Sequence, residues 1–486
     1  MPENITYEGV IGLEVHVQLS TRTKAFSRDP NEFVHEPNRH VSEVSLGHPG
    51  TLPRLNGKVI EYAVLLGLAC GSDIAESVTF SRKNYFYTDL PKGYQISQHE
   101  NPVCSGGSVS IPVKDGKKMI RLVRIHIEED AGKSIHDQDP ANTLIDLNRA
   151  GVPLLEVVSE PDIRSSEKAC RFLQEIRKLV RYLEISDGNM EQGSLRCDAN
   201  VSVKPVGESK LGTRAEIKNL NSFSNLRKAV DHEIERQIKE VKAGKTIVQQ
   251  TLGYDERSNL TFPLRAKEEA DDYRYFPEPD LVPYKISGKF INTTKASLPS
   301  LPHELKEKFT AQFGLSAYDA EVITEDKNLA LLFEDITRNT TNFKAAANWI
   351  IGPVKTWLNE HARDALSFPV SAEKISGLIG LIDEGKINYS LATKKVFPLM
   401  LEHPEKDPEQ IISGHALVQE SDTSEILNWI NQAFDKYPDK IKEYNQGKKG
   451  LIGLFMGEVM RLSQGKSDPE VTRDLINKEL NKRKEK

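Results

Sequence analysis

Several stretches of the chain alternate strictly between apolar and polar residues, the two-residue repeat of a strand with one buried face. Ile11 to Leu19 sets Leu13, Val15 and Val17 against Glu14, His16 and Gln18. Leu122 to Glu128 sets Val123, Ile125 and Ile127 against Arg124, His126 and Glu128. Leu195 to Val203 sets Cys197, Ala199 and Val201 against Arg196, Asp198 and Asn200, and Thr213 to Asn219 repeats the device with Arg214, Glu216 and Lys218. Helical spacing separates these strands. Ser165-Ser166 opens a helix carrying Ala169, Phe172, Leu173, Ile176, Leu179, Val180 and Leu183 on one side, and Ser222 or Ser224 caps another that ends at Gly244. Beyond about Asn292 the pattern becomes helices joined by short loops, as at Ser371 to Gly385 and Thr423 to Phe434, with a further shift near residue 410. The expected class is α+β: a largely antiparallel sheet with covering helices over residues 1–292, a helical domain over 293–408, and a small helical tail over 409–486.

Composition narrows the function. A net charge of −6 over 486 residues excludes a uniformly basic nucleic-acid binder, so any RNA affinity must come from local patches. The residues from Gly447 onward carry ten Lys or Arg against six Asp or Glu, a local +4 suited to a phosphate backbone, although basic helical tails are also common as solvated ends. Cys70, Cys104, Cys170 and Cys197 lack CxxC spacing, which argues against a disulfide framework or a cysteine zinc site. No apolar run approaches the ~20 residues that span a bilayer, and the N-terminus lacks a charged-then-apolar leader, so a cytoplasmic location with no membrane contact is expected.

The polar faces carry the candidate chemistry. Glu14 and His16 lie ~6.6 Å apart along their strand, within reach of one bound ion. Carboxylates and histidines at the ends of neighbouring strands suit a hard cation such as Mg²⁺, with Arg and Lys nearby for phosphate oxygens. A solvated antiparallel face explains the same alternation. Ser81 to Gln98 mixes Arg82, Lys83 and Lys92 with Tyr85, Phe86, Tyr87 and Tyr94, a composition for stacking a base beside phosphate or for a hydrophobic hairpin with a charged rim. No GxxxxGK[ST] loop, GxGxxG turn or GxSxG elbow is present, so any nucleotide must be held by carboxylates, metal and strand-borne bases.

Seven segments in order resemble one family: Gly12-Leu-Glu14-Val-His16-Val, Arg82-Lys-Asn-Tyr-Phe-Tyr, His126-Ile-Glu-Glu-Asp-Ala-Gly-Lys133, Asp146-Leu-Asn-Arg-Ala-Gly-Val-Pro-Leu-Leu-Glu156, Gly193-Ser-Leu-Arg-Cys-Asp-Ala-Asn200, Glu216-Ile-Lys-Asn-Leu-Asn-Ser-Phe223 and Asp271-Asp-Tyr-Arg-Tyr-Phe-Pro-Glu-Pro-Asp280. They are similar to the B subunit of the bacterial glutamyl/aspartyl-tRNA amidotransferases, the GatB/GatE family. The resemblance implies a ligase active as a heterotrimer, partnered by an amidase (the A subunit) and a small third chain (the C subunit). It would use ATP and Mg²⁺ to activate the side-chain carboxylate of Glu-tRNA(Gln), Asp-tRNA(Asn) or both, then amidate it with ammonia released from glutamine by the amidase. A cradle domain would hold ATP and the aminoacyl end, and the tail would grip tRNA.

Carried over residue by residue, the resemblance places metal binding on Glu14, His16, Glu129 and Glu156, with His16, Glu129 and Glu156 in the activation step. Alternation puts Glu128, not Glu129, beside His126; the family match favours Glu129, with the strand ending or bending at Asp130-Ala-Gly132. Lys83 and Lys92 would lie beside the ammonia path or the substrate, and Arg196, Asp198, Asn200 and Lys218 would line the cavity for the nucleotide or the aminoacyl end. Many relatives carry a CxC and a CxxC zinc site in the early loop, where this chain reads Ser27-Arg28-Asp29 and Ser42-Glu43-Val44-Ser45. No structural zinc is therefore expected, and the loop should be held by packing and turn residues alone.

Overall fold

Strand β1 (Tyr7–Gln18) is the middle of the structure, because its alternation gives it one apolar and one ionisable face and it has a long strand on either side. In the computed structural model of the chain, residues 5–114, 116–136, 138–266, 273–415, 417 and 423–483 are described. The other long strands are β2 (Gly116–Glu129), β3 (Pro153–Ser159), β4 (Leu195–Pro205), β5 (Ala215–Leu220), β6 (Gln250–Asp255) and β7 (Leu260–Ala266). They lie in the order β7-β6-β5-β4-β1-β3-β2 within a ten-stranded sheet that short strands complete beyond β2. Every pairing along this path is antiparallel except β5 with β6.

Register decides the chemistry of each face. His126 of β2 is paired with Glu156 of β3, Glu156 with His16 of β1, and His16 with Arg196 of β4. The next row joins Arg124, Val158, Glu14 and Asp198. Cross-strand partners share a face, so the ionisable positions of four strands form one surface. On the reverse face Leu13, Val15, Val17, Ile125, Ile127, Leu155, Val157, Cys197 and Ala199 are fully buried.

Three helices cover that apolar face. They are α1 (Gly57–Ala69), α2 (Ser166–Tyr182) and α3 (Phe223–Lys242). Asn56, Ser165 and Ser222 cap them by accepting the amides of Lys58, Lys168 and Asn225, which settles the alternative of Ser224 in favour of Ser222. Phe172, Leu173, Ile176 and Val180 of α2 and Leu226, Ala229 and Val230 of α3 join the sheet's apolar face in one continuous core. Each of these apart from Ala229 contributes roughly 1.5–3 kcal/mol. Val123, expected on the buried face, is 42 % exposed. The pairing slips there, Leu122 facing Ser159 and Arg124 facing Val158, so Val123 has no partner on β3.

Two compact units divide the chain, Met1–Leu301 and Pro302–Lys486. The helix Gly288–Ala296, which spans the expected break at Asn292, packs on α1 and stays with the first unit. The second unit is helical in its described residues, and its last part has a buried cluster of its own built on Ile426, Ile430, Phe434, Phe455, Val459, Ile476 and Leu480.

The early loop is held by more than packing and turns. Asp29 Oδ2 accepts from Ser27 Oγ at 2.9 Å, Ser45 Oγ at 3.1 Å and the Ser42 amide at 3.2 Å, so of the four positions where the resemblance pointed to cysteines, three converge on the carboxylate of the fourth. Lys24, fully buried, lies 4.0 Å from the same oxygen and donates to the His40 carbonyl at 2.6 Å. Burial pulls its ammonium down to about 8, against the pull of Asp29, Glu129 and Asp146.

Candidate functional site

The ionisable face of the sheet forms the floor of a cavity of about 210 Å³. Glu14 and His16 come from β1, Arg124, His126 and Glu128 from β2, Glu156 from β3, Asp198 from β4, Glu216 and Lys218 from β5, and Thr251 from β6. The opposite wall belongs to a small sheet in which the strand Ser81–Asn84 pairs with both Tyr94–Ser97 and Phe276–Pro277. Arg82 clamps that sheet, its Nε and Nη2 donating to Glu278 at 2.7 and 2.8 Å. From it Lys83, Ser97, Gln98, His99, Tyr273 and Tyr275 reach the cavity. Asp271 and Asp272 of the motif lie outside the described residues.

At the centre, one ligand atom each from His16, Glu128 and Glu156 lies within 4.8 Å of the others. His16 Nδ1 is 3.4 Å from Glu128 Oε1 and 3.9 Å from Glu156 Oε2, and its Nε2 is 3.8 Å from Asp198 Oδ2. His126 Nε2 stands 3.5 Å from Glu156 Oε2. The charges are strongly coupled. Burial would lower His16, but the carboxylates of Asp198, Glu128 and Glu156 around it push it well above the ordinary imidazole value. Burial would raise Glu128, yet His16, Lys83 and His126 hold it down at about 2. Burial pulls His126 down to about 4, helped by Arg124, Lys83 and His16, so this second imidazole is neutral at pH 7. Glu156 is pushed up by burial and by Glu128, and Glu14 by burial and by Glu156, Glu216 and Asp198. Carboxylates that raise one another are short of positive charge, which a divalent cation would supply.

The flanking residues sort into holders and free groups. Lys218 Nζ bridges Asp198 at 3.4 Å and Glu216 at 3.3 Å. Asn219 adopts the left-handed region at φ 58° and turns its amide onto Asp198 Oδ1 at 2.9 Å, a conformation asparagine tolerates better than most residues. Asn200 donates to Glu14 Oε1 at 2.8 Å. Arg196, expected to line the cavity for the nucleotide or the aminoacyl end, donates to Asp130 Oδ2 at 3.0 Å, an oxygen that also accepts from Gln18 at 3.0 Å. Arg124 Nε and His126 Nδ1 are buried with no hydrogen-bond partner among the described residues.

Glu129 departs from the expectation. The strand neither ends nor bends before it, so alternation holds and Glu129 faces away from the cavity while Glu128 faces into it. On the reverse side Glu129 pairs with Lys92 and accepts the Ile96 amide at 2.9 Å, and the side chain of Gln95 donates to its carbonyl at 2.5 Å. Of the expected site residues, the structure brings Glu14, His16, Glu156, Lys83, Asp198 and Lys218 to the cavity and sets Glu129 and Lys92 apart as a pair. His99, Tyr273 and Tyr275 had no periodic signal, since they lie just outside strands of only two to four residues.

With that geometry in place, residues 9–292 match the model of the GatB/GatE catalytic domain and residues 331–480 that of the GatB domain. The chain belongs to the GatB/GatE family. Its full length is similar to that of curated relatives named as the B subunit of aspartyl/glutamyl-tRNA(Asn/Gln) amidotransferase. The protein of Chlorobium limicola is 48% identical over 98% of this chain and 99% of its own length, and that of Geotalea daltonii is 48% identical over the same shares. The protein of Geobacter sulfurreducens is 47% identical, with 98% of this chain and all of the relative covered. The cavity lies within the residues that match the family's catalytic domain, which makes it the candidate active site of this GatB/GatE chain. No helix among the described residues is long and apolar enough to cross a membrane.

Proposed function

We propose that the chain is the B component of a heterotrimeric, tRNA-dependent amidotransferase of the cytoplasm, working with an amidase (the A subunit) and a small third chain (the C subunit). It activates the side-chain carboxylate of Glu-tRNA(Gln) or Asp-tRNA(Asn) with ATP and receives ammonia released elsewhere in the complex. The observation that carries this reading is the triad of half-buried His16 with buried Glu128 and Glu156 in a cavity that also holds Lys83, Arg124 and Lys218.

A carboxylate is a poor electrophile. Its oxygen must attack the γ-phosphorus of ATP, with cleavage of the bond to the bridging oxygen and departure of ADP. Ammonia then attacks the acyl carbon, the carbon–oxygen bond to phosphate breaks, and the nitrogen gives up a proton as the amide forms. His16, Glu128 and Glu156 would hold Mg²⁺, with Glu14 beside them; the ion would neutralise charge on the phosphate oxygens. Arg124 with its unpartnered Nε, and Lys83, would meet those oxygens directly. Asp198, fixed by Lys218 and the Asn219 amide, orients His16 from its other nitrogen. The Lys92–Glu129 pair, buried on the other side of the same strand end, would brace that strand rather than meet the nucleotide. Residues 1–292 would act as the cradle, 293–408 as the helical domain and 409–486 as the tail that grips tRNA.

The test is the assembled heterotrimer with Glu128→Gln, assayed for ATP-dependent amidation of misacylated tRNA with free ammonium and, separately, for tRNA affinity. Lost amidation with tRNA affinity kept supports activation in this chain. Amidation at the wild-type rate would leave the chain as a tRNA-docking scaffold.

A further inference from the structure

We infer that the aromatic corner of the cavity, built from His99 and Tyr275 with Tyr273 beside them, seats an adenine ring; this rests on the ATP-dependent reading above. The His99 and Tyr275 rings are stacked, with centroids 4.2 Å apart and planes within 7°. Tyr273 meets Tyr275 edge-on at 6.0 Å. All three line the same cavity as the triad.

The argument is one of exclusion followed by geometry. Adenine is flat, uncharged and polarisable, and it gains most from an aromatic surface. The rest of the described lining is carboxylate, imidazole, ammonium, guanidinium, amide or hydroxyl, and no Leu, Ile, Val, Met, Phe or Trp reaches it. The amide of Gln98 is already committed, its nitrogen donating to the Thr79 and Asn101 carbonyls and its oxygen accepting from the Val103 and Ile127 amides. Apart from the imidazoles of His16 and His126, which lie against Glu128 and Glu156, the described lining offers aromatic π-surface only at this corner. Lys83 Nζ stands 4.9 Å over the Tyr273 ring and is held positive by Glu128 and Glu156, against the cost of its burial. A cation therefore lies between the aromatic corner and the triad, where a phosphate chain running from a seated base would place its negative charge. The corner is also fixed: Tyr273 is braced edge-on by Tyr85, and the strand Phe276–Pro277, which follows Tyr275, is paired to Ser81–Arg82.

Two sources present the same ring, ATP and the 3′-terminal adenosine of the tRNA. They are separated by KM values measured on the reconstituted heterotrimer with free ammonium as nitrogen donor. In His99→Ala and Tyr275→Ala, a rise of about tenfold or more in the KM for ATP, with the KM for misacylated tRNA within twofold, assigns the seat to the nucleotide. The reverse pattern assigns it to the tRNA end. His99→Phe and Tyr275→Phe keep the rings and should recover most of the affinity lost in the alanine variants, whereas a merely structural hydroxyl or imidazole would not be rescued. Should either alanine variant fail to assemble, the other and the two phenylalanine variants still decide the matter. If assembled alanine variants leave both KM values unmoved while the wild type amidates with ATP, the adenine seat is wrong and the proposed function stands. If the wild-type heterotrimer shows no ATP-dependent amidation, the proposed function itself fails.

Discussion

Glu128 and Glu129 are adjacent in the chain and both buried, yet they live in opposite electrostatic surroundings. On the cavity side Glu128 lies beside Glu156 and Glu14, which neighbouring carboxylates push up, and beside a histidine that Asp198, Glu128 and Glu156 pull above its ordinary value. On the reverse side Glu129 has its own lysine and a backbone amide, and nearby Asp29 has two hydroxyls, an amide and Lys24. The first region keeps carboxylates raised despite the cations around them and has room for a ligand; the second is closed on itself. A buried carboxylate is thus a poor indicator of function until its partners are counted.

The widest separation between the regions is expected in the two neighbouring glutamines. Glu128→Gln should lower amidation by on the order of 1000-fold and weaken Mn²⁺ binding, read by electron paramagnetic resonance. Glu129→Gln should leave Mn²⁺ affinity within about twofold while destabilising the first unit by roughly 3 kcal/mol, because Lys92 stays buried without its carboxylate. Equal loss of Mn²⁺ affinity in both would mean that the strand end rearranges to bring Glu129 into the triad. Next in size, Asp29→Ala should cost about 2 kcal/mol in thermal unfolding by leaving Ser27, Ser45 and the Ser42 amide without an acceptor, with Mn²⁺ affinity unchanged.

The smallest effect is a pH dependence. Lys24 gives up its proton near pH 8 when folded and near 10.5 when unfolded, so between those values the unfolded chain binds more protons and stability rises with pH. Lys24→Met removes that rise. The stability difference between wild type and variant should shift by about 1.5 kcal/mol in favour of wild type from pH 8 to 9.5. Parallel curves would show that Lys24 keeps its proton across this range.

Much of the site was legible from alternation alone. Period two placed Glu14, His16, Asp198 and Lys218 on polar faces, and the sheet's register then aligned those faces. The same rule pointed to Glu128, and a family match over short motifs overrode it, because a match by position does not record which way a side chain points. Arg196 shows the opposite failure. Its face was right, but Asp130, from the end of another strand, takes its guanidinium. Tyr275 and His99 were not singled out for a different reason: they follow or precede strand pairs only two to four residues long, and the pair beside Tyr275 joins segments far apart in sequence. The hydrogen-bonded loop around Asp29 was equally hidden, since serines and one aspartate in a loop carry no spacing that distinguishes a network from solvent exposure.

The continuous register of β2 has a consequence for how the gene can change. From Arg124 to Glu129 the strand is paired residue by residue with β3 and has no irregularity to absorb a change in length. Loss of a single codon in that stretch would exchange the two faces from that point on, sending one glutamate into the core and the other out of it. Substitutions there can be tried one at a time by selection; insertions and deletions cannot, so families descended from this chain should vary in length elsewhere, in the turns and the early loop.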